Sequence, residues 1–287
     1  MSGLETAVAA CGICPHDCKL GPGQIGRCKA RGWLNGRVEA LSYGRITSMA
    51  IDPVEKKPLA RWMPGRMLLS VGSYGCNLKC PFCQNYGISQ VGEGDVPWRE
   101  VSARELVELT IESRESDPRV VGIAHTYNEP LIAWEYVRDV GLLAHDAGLA
   151  NVLVSNGCVQ SWVVDEIAPV VDAANIDLKG FTEDYYRWCG GDLSAVKGCI
   201  ERLAAEDACH LEVTCLVVPG KNDSPAEMRE LAEWLATVDP GITLHVTRYF
   251  PRWKMSAGAT PVSVVYNLAD VAREVLPNVV VGNVPRR

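Results

Sequence analysis

Seven of the twelve cysteines fall into two tight groups, Cys11, Cys14, Cys18, Cys28 and Cys76, Cys80, Cys83. Thiolates are soft metal ligands, and reduced cysteines at such short spacings mean a metal before anything else. Twelve in 287 residues also fall well short of the roughly 8–10% of a disulfide-built scaffold. The opening MSGLETAVAA lacks the basic region of a secretion signal. No apolar run approaches the roughly 20 residues that span a bilayer. A cytoplasmic chain with reduced thiols and no membrane partner is therefore expected. The five scattered cysteines, Cys158, Cys189, Cys199, Cys209 and Cys215, read as small buried hydrophobes.

The second group lies in Ser73-Tyr-Gly-Cys76-Asn-Leu-Lys-Cys80-Pro-Phe-Cys83-Gln-Asn. Three thiolates at CxxxCxxC spacing can wrap one small inorganic cluster. Zinc would need a fourth ligand to close its tetrahedron, and a remote cysteine is the alternative that would supply it. A cubane iron–sulfur cluster normally takes four cysteines. Held by three, it keeps one iron open to a ligand that is not protein, which marks a catalytic site. The first group has four thiolates, enough to close a zinc site or hold an auxiliary iron–sulfur cluster. His16 could replace one of them, although Pro15 and Asp17 beside it favour a turn.

Elements that could position these groups follow from residue 66 on. Strands are predicted at 67–72, 120–126, 151–156, 173–179, 210–218, 242–250 and 278–282, with helical patterns between them. Ser102-Ala-Arg-Glu105 and Ser224-Pro-Ala-Glu227 read as capping boxes, and Pro130 opens a helix that Gly148 can close. This alternation predicts an α/β fold, a full or partial (β/α) TIM-like barrel over 66–287. No GxGxxG follows the first strand, which disfavours a dinucleotide fold. Residues 1–65 read as a Cys- and Gly-rich N-terminal arm that needs a metal to hold it together. The chain is 47% hydrophobic and carries a net charge of −7, which excludes disorder and argues against nucleic-acid binding.

CxxxCxxC with Phe82 before the third cysteine, on the loop after the first barrel strand, resembles the radical S-adenosylmethionine superfamily. Cys83-Gln-Asn, Thr-Tyr-Asn-Glu-Pro at 126–130, Ser-Asn-Gly at 155–157, Ile-Asp-Leu-Lys at 176–179 and Val-Pro-Gly-Lys-Asn-Asp at 218–223 resemble its pyruvate formate-lyase activating branch. The N-terminal Cys-Gly-Ile-Cys-Pro-His-Asp-Cys and Asp-Pro-Val-Glu-Lys-Lys-Pro at 52–58 are similar to AmmeMemoRadiSam-system radical enzymes. The resemblance implies a 4Fe-4S cluster on Cys76, Cys80 and Cys83 whose open iron chelates the methionine end of S-adenosylmethionine. One-electron reduction, from a donor such as flavodoxin or ferredoxin, then yields a 5′-deoxyadenosyl radical that takes a hydrogen atom from a small molecule, peptide or protein. It implies oxygen sensitivity as well. Longer members of the subgroup continue past 281–284 into a cysteine-paired tail, so any function of that tail is expected to be absent here or carried elsewhere.

Strand parity supports a polar site independently of the resemblance. Barrel lumens are usually filled with branched apolar side chains, yet Asn175, Asp177 and Lys179 share one strand face. Burying them is costly unless they bind something; a self-satisfied Asp–Lys pair is the alternative. By the resemblance, Asp177 and Lys179 lie near the cofactor's ribose or carboxylate. Asn128 and Glu129 sit on the C-terminal rim of the barrel, where Glu129 is placed to accept its ammonium, with a plain Asn-Glu-Pro helix cap as the alternative, and Ser155 and Asn156 end the next strand on the same rim, placed to address the ribose. Glu212 and Thr214 also share a polar parity. Thr243, His245, Thr247 and Tyr249 share another, and His245 and Tyr249 are the substrate-side candidates. His210, Trp188 and the Tyr185–Tyr186 pair read as structural. Within the enzyme reading, glycyl-radical-enzyme activation competes with a small-molecule or peptide reaction run with AmmeMemoRadiSam partners. From other classes, an iron–sulfur electron carrier or metal-stapled scaffold predicts an apolar lumen, and a polar methyltransferase would need no three-cysteine cluster.

Overall fold

The computed structural model describes residues 8–285. At its centre is one eight-stranded sheet. Strand β1 (Ser48–Pro53) runs antiparallel to β2 (Met67–Gly72). From β2 onward every strand pairs in parallel with the next: β3 (Val120–His125), β4 (Ala150–Ser155), β5 (Ala173–Asp177), β6 (His210–Val217), β7 (Thr243–Arg248) and β8 (Val279–Gly282). The order along the sheet follows the chain without a jump, and β1 and β8 remain its two edges. The fold is thus a partial β/α barrel, with all seven expected strands present within about two residues of their predicted ends.

Helices cover the outer face: α1 (Ala103–Ser116), α2 (Trp134–Asp146), α3 (Ser161–Ile167), α4 (Glu183–Cys189), α5 (Leu193–Ala204), α6 (Pro225–Val238) and α7 (Val262–Arg273). Leu69 and Val71 of β2 pack outward against Leu106 of α1 and Val140 of α2. Leu244 and Val246 of β7 do the same with Leu231 of α6 and Leu268 of α7. Parity therefore sends the alternate residues inward. No helix among the described residues is long and apolar enough to cross a membrane.

The local signals hold in part. Ser102 caps α1 by accepting the Glu105 N–H at 3.1 Å. Ser224 makes no such bond, so the second expected capping box does not form. Its Glu227 carboxylate accepts instead from the Phe181 N–H at 2.7 Å, in the loop after β5. Pro130 begins a 3₁₀ turn, Pro130–Ala133, and the α-helix proper starts only at Trp134. Gly148, at φ +63°, follows that helix as expected.

Residues 1–7 of the expected arm lie outside the described residues; residues 8–65 take part in three small antiparallel pairings and supply the edge strand β1. Ala9–Ala10 pairs with Lys19–Leu20, Arg31–Leu34 with Arg37–Ala40, and Arg45–Ile46 with Arg99–Glu100. After β1 the chain turns under the N-terminal end of β2, where Val54 and Leu59, both fully buried, pack on Leu68, Ala124, Val152 and Ala173. That strap is anchored by charge: Asp52 accepts from Lys56 and Lys57 at 2.8 Å each and from the Tyr127 hydroxyl at 2.6 Å. The motif at 52–58 is therefore the plug of the lumen.

Candidate cluster and cofactor site

The CxxxCxxC segment leaves the C-terminal end of β2, the end where barrels carry their chemistry. Its start is pinned by Asn128, whose Oδ1 accepts the Ser73 N–H at 3.0 Å and whose Nδ2 donates to the Tyr74 and Gly75 carbonyls. Gly75 sits at φ +86°, and a Cβ there would come within 2.5 Å of the Cys28 carbonyl oxygen. Only glycine lets the loop lie this close to the arm. The Cys76 N–H donates to that same Cys28 oxygen at 3.1 Å, and His16 donates from Nε2 to the Asn77 carbonyl at 3.0 Å. The arm thus braces the loop from outside, and His16 is engaged in doing so.

From inside, the loop rests on the ends of β3 and β4. The Glu129 carboxylate is buried and accepts from the Leu131 N–H at 2.9 Å, the Ser155 hydroxyl at 2.7 Å and the Asn156 N–H at 2.8 Å. Burial pushes Glu129 up to about 7, against the pull of those donors. Asn156 Nδ2 donates to Asn77 Oδ1 at 2.9 Å and approaches Cys76 Sγ at 3.6 Å. Asn77 in turn donates to the Cys158 carbonyl at 2.6 Å. Asn77 escaped the sequence reading: its place between Cys76 and Cys80 is the one signal in the sequence, and its complete burial appears only in the fold.

The three cysteines face this network and the end of β5. Burial, and then the negative field of Glu129, raises the Cys76 thiol. Cys83 Sγ lies 3.2 Å from Ser89 Oγ. Cys80 lies against Cys189, whose thiol hydrogen-bonds to it and holds it below its ordinary value, with Lys179 acting in the same sense. Cys189 is buried as expected, but it touches the site, which spacing could not disclose. Lys179 donates to Asp177 Oδ2 at 2.8 Å. Burial opposes the lysine's charge, but Asp177 and Cys80 outweigh it and keep its affinity for the proton high.

Below this mouth, the lumen face of β5–β7 is polar, as parity required. Thr214 donates to Asn175 Oδ1 at 2.9 Å, and Asn175 donates to the Pro58 carbonyl of the strap at 2.8 Å. Glu212, fully buried, meets His245 Nε2 at 2.5 Å and His210 Nε2 at 2.9 Å, and accepts the Ala60 and Arg61 N–H groups at 3.0 and 2.8 Å. Burial alone would raise Glu212, yet these donors bring it down to about 2 from 4.5. A lowered carboxylate stabilises the fold above pH ~4.5 and loses that contribution as pH falls toward 2. We expect Glu212→Gln to cost on the order of 3 kcal/mol near pH 7. The difference from the parent protein, read by urea unfolding, should narrow below pH ~4.5. Tyr249 is buried in the main apolar core with its hydroxyl 3.4 Å from the Ala257 carbonyl. Trp188 and Tyr185 pack edge to face, and Trp188 also lies 5.6 Å from Phe82, between the motif's second and third cysteines.

The donor set fits an iron–sulfur cluster in chemistry: three thiols on one loop, with a buried Tyr185 hydroxyl that has no hydrogen-bond partner among the described residues beside Cys80 and Cys189. All twelve cysteines are free. Among the described residues, no three His, Cys, Asp or Glu side chains converge closely enough to hold a single metal ion. Cys11, Cys14, Cys18 and Cys28 line one small cavity of the arm, together with Arg31.

A partial β/α barrel with a three-cysteine loop at its mouth defines a class of cofactor-dependent proteins. Comparison with known proteins places it more closely. The profile of the Radical SAM superfamily matches residues 70–235, more than half of the chain, and the chain belongs to that superfamily. It is 35% identical over 286 residues to the uncharacterized protein MJ0808 of Methanocaldococcus jannaschii, covering 98% of this chain and 83% of that one. Among solved structures, it is similar to a radical SAM methyltransferase from Sphaerobacter thermophilus, with a TM-score of 0.60 and 17% identity over 76% of this chain and 66% of that one. A domain of pyruvate-formate lyase-activating enzyme from Bacteroides vulgatus aligns with a TM-score of 0.50 and 19% identity, over 57% of this chain and 99% of that one. At these identities the two structures speak for the fold alone.

Proposed function

We propose that this protein is an enzyme that reductively cleaves S-adenosylmethionine at a 4Fe-4S cluster held by Cys76, Cys80 and Cys83. The observation that carries the reading is the motif loop at the mouth of a lumen that is polar where it would ordinarily be apolar. When bound, the cluster supplies the electron that splits the sulfonium into methionine and a 5′-deoxyadenosyl radical, which takes a hydrogen atom from the substrate. The chain's own part is to bind, orient and shield. Lys179 and Asp177, beside Cys80, address the carboxylate and ribose of the cofactor. Asn128, Glu129, Ser155 and Asn156 line the same rim, and their hydrogen bonds fix the loop against which the cofactor sits. His245, held by Glu212, and Tyr249 stand on the substrate side. The polar lumen argues against an electron carrier or a scaffold.

The motifs at 11–18 and 52–58 support placement in the AmmeMemoRadiSam subgroup of the pyruvate formate-lyase activating branch. The substrate class that goes with it is a small molecule or a peptide or protein, handled with system partners; simple glycyl-radical activators generally lack such an arm. The arm's four thiols hold a second metal, either zinc or an auxiliary iron–sulfur cluster, and fasten the arm to the loop through Cys28. Metal analysis of Cys11→Ala against the parent protein separates zinc from iron.

The test is anaerobic reconstitution with iron and sulfide, reduction with dithionite, and chromatography for 5′-deoxyadenosine. Release above the cofactor-free control supports the reading; a fully loaded, reduced protein that leaves the cofactor intact refutes it. Asp177→Ala and Lys179→Ala each remove a charged hydrogen-bonding group worth about 1.5–3 kcal/mol. Each should weaken cofactor binding by about tenfold or more at unchanged iron content. Unfolding with no change in affinity would assign the pair a purely structural role.

A further inference from the structure

The chain is acidic overall, at −7, yet the outer face of the cysteine loop is ringed by cations. Lys254 lies on the loop after β7, and its N–H donates to the Pro81 carbonyl at 3.0 Å. Its ammonium sits 4.4 Å from the Trp253 ring, which stacks at 5.9 Å on Tyr86, three residues beyond Cys83. Arg252 is exposed on the same loop. Lys221 lies over Trp188 at 4.8 Å, and Trp188 packs on Phe82. On the other flank, Arg27 and Lys79 both border Gly190.

None of these five cations has an ion-pair partner among the described residues. Of the cations elsewhere on the surface, Arg138, Arg202 and Arg229 are paired with carboxylates, whereas Arg66 and Arg104 stand singly; what sets the five apart is that they gather round one loop. Unpaired like charges gathered on one face of an acidic protein cost stability through mutual repulsion, and they steer a partner of opposite charge. Exposed Tyr86 and half-buried Trp253 supply the kind of rigid aromatic anchor that protein interfaces use. The collar surrounds residues 79–86, the stretch of loop nearest the outside.

Resting on the proposed cluster chemistry, we propose that this collar is the docking face of an acidic one-electron carrier protein, which would bring its redox centre against the loop at Pro81–Cys83. The electron passes from the reduced carrier to the oxidised cluster, leaving the carrier oxidised by one electron; no bond is made or broken at this step.

The experiment uses the reconstituted full chain and follows bleaching of the cluster absorbance in stopped flow, with a reduced acidic flavodoxin as the probe and dithionite as the small reductant. The flavodoxin rate should fall as salt rises. The variant Arg27→Glu/Arg252→Glu/Lys254→Glu should lower it by about tenfold or more, with the dithionite rate unchanged, while Arg104→Glu on α1 leaves both rates alone. Equal flavodoxin rates in parent and variant overturn the proposal, and are the result expected if the collar receives an acidic substrate protein instead. Should the reversals also disturb the dithionite rate, the milder Arg252→Gln/Lys254→Gln pair decides: an unchanged flavodoxin rate in that pair overturns the proposal. Because the readout is cluster reduction, a cluster that reduces without cleaving the cofactor sinks the proposed function and leaves the docking result standing.

Discussion

Replacing any one of Cys76, Cys80 or Cys83 by alanine should bring 5′-deoxyadenosine release to background, a loss of at least about a hundredfold, or roughly 2.7 kcal/mol in the barrier. The expectation follows from ligand count. Three thiolates are already one fewer than a cubane normally receives from protein, so two leave two irons open and the cluster labile. The same variants should lose the brown chromophore while keeping their far-ultraviolet circular dichroism, since the thiols are not what ties the loop down. Asn128, Asn77 and the Cys28 carbonyl do that. A triple alanine variant that still cleaves the cofactor would overturn the mechanism. Cys189→Ala is a useful companion: it removes a thiol in contact with Cys80 without touching the motif. If a remote cysteine completed a closed metal site in this loop, this variant would lose metal as the motif variants do. On the reading proposed here it keeps its iron.

The second large effect is expected at Glu129. Glu129→Ala strands three donors, the Leu131 and Asn156 N–H groups and the Ser155 hydroxyl. Each buried unsatisfied donor costs about 1–3 kcal/mol, so the sum is roughly 3 kcal/mol or more against a total stability that is typically about 5–15 kcal/mol. Urea unfolding should show that loss, and hydrogen exchange should show the ends of β3 and β4 opening first. Glu129→Gln keeps an acceptor and should cost less. A Glu129 whose only task is to hold the cofactor's ammonium predicts the reverse pattern, with cofactor affinity lost and the unfolding midpoint unmoved.

Much of this was legible without coordinates, because it depends on local chemistry. The spacing of Cys76, Cys80 and Cys83 limits what the loop can bind whatever surrounds it. Period-2 alternation in β5 and β7 told which residues share a face, since a strand cannot present neighbours on the same side. The caps show where local reasoning weakens. Ser102 caps its helix with the bond its sequence predicts, whereas Ser224 does not, and the Glu227 carboxylate is bonded to Phe181, 46 residues away. Nothing in a four-residue window can register so distant a partner.

The sequence by itself determined the alternating strands and helices, the three-cysteine loop and the polar parity of β5–β7, all set by spacing along one stretch of chain. The tertiary structure alone decided how these pieces restrain one another. It set Glu129 across the ends of β3 and β4, brought Cys189 against Cys80 and His16 against Asn77, and hung the strap at 54–62 on Glu212 and Asn175. Each of these pairings joins residues distant in sequence, and which distant groups meet is settled by how the whole chain packs its apolar surface, a sum no local pattern contains.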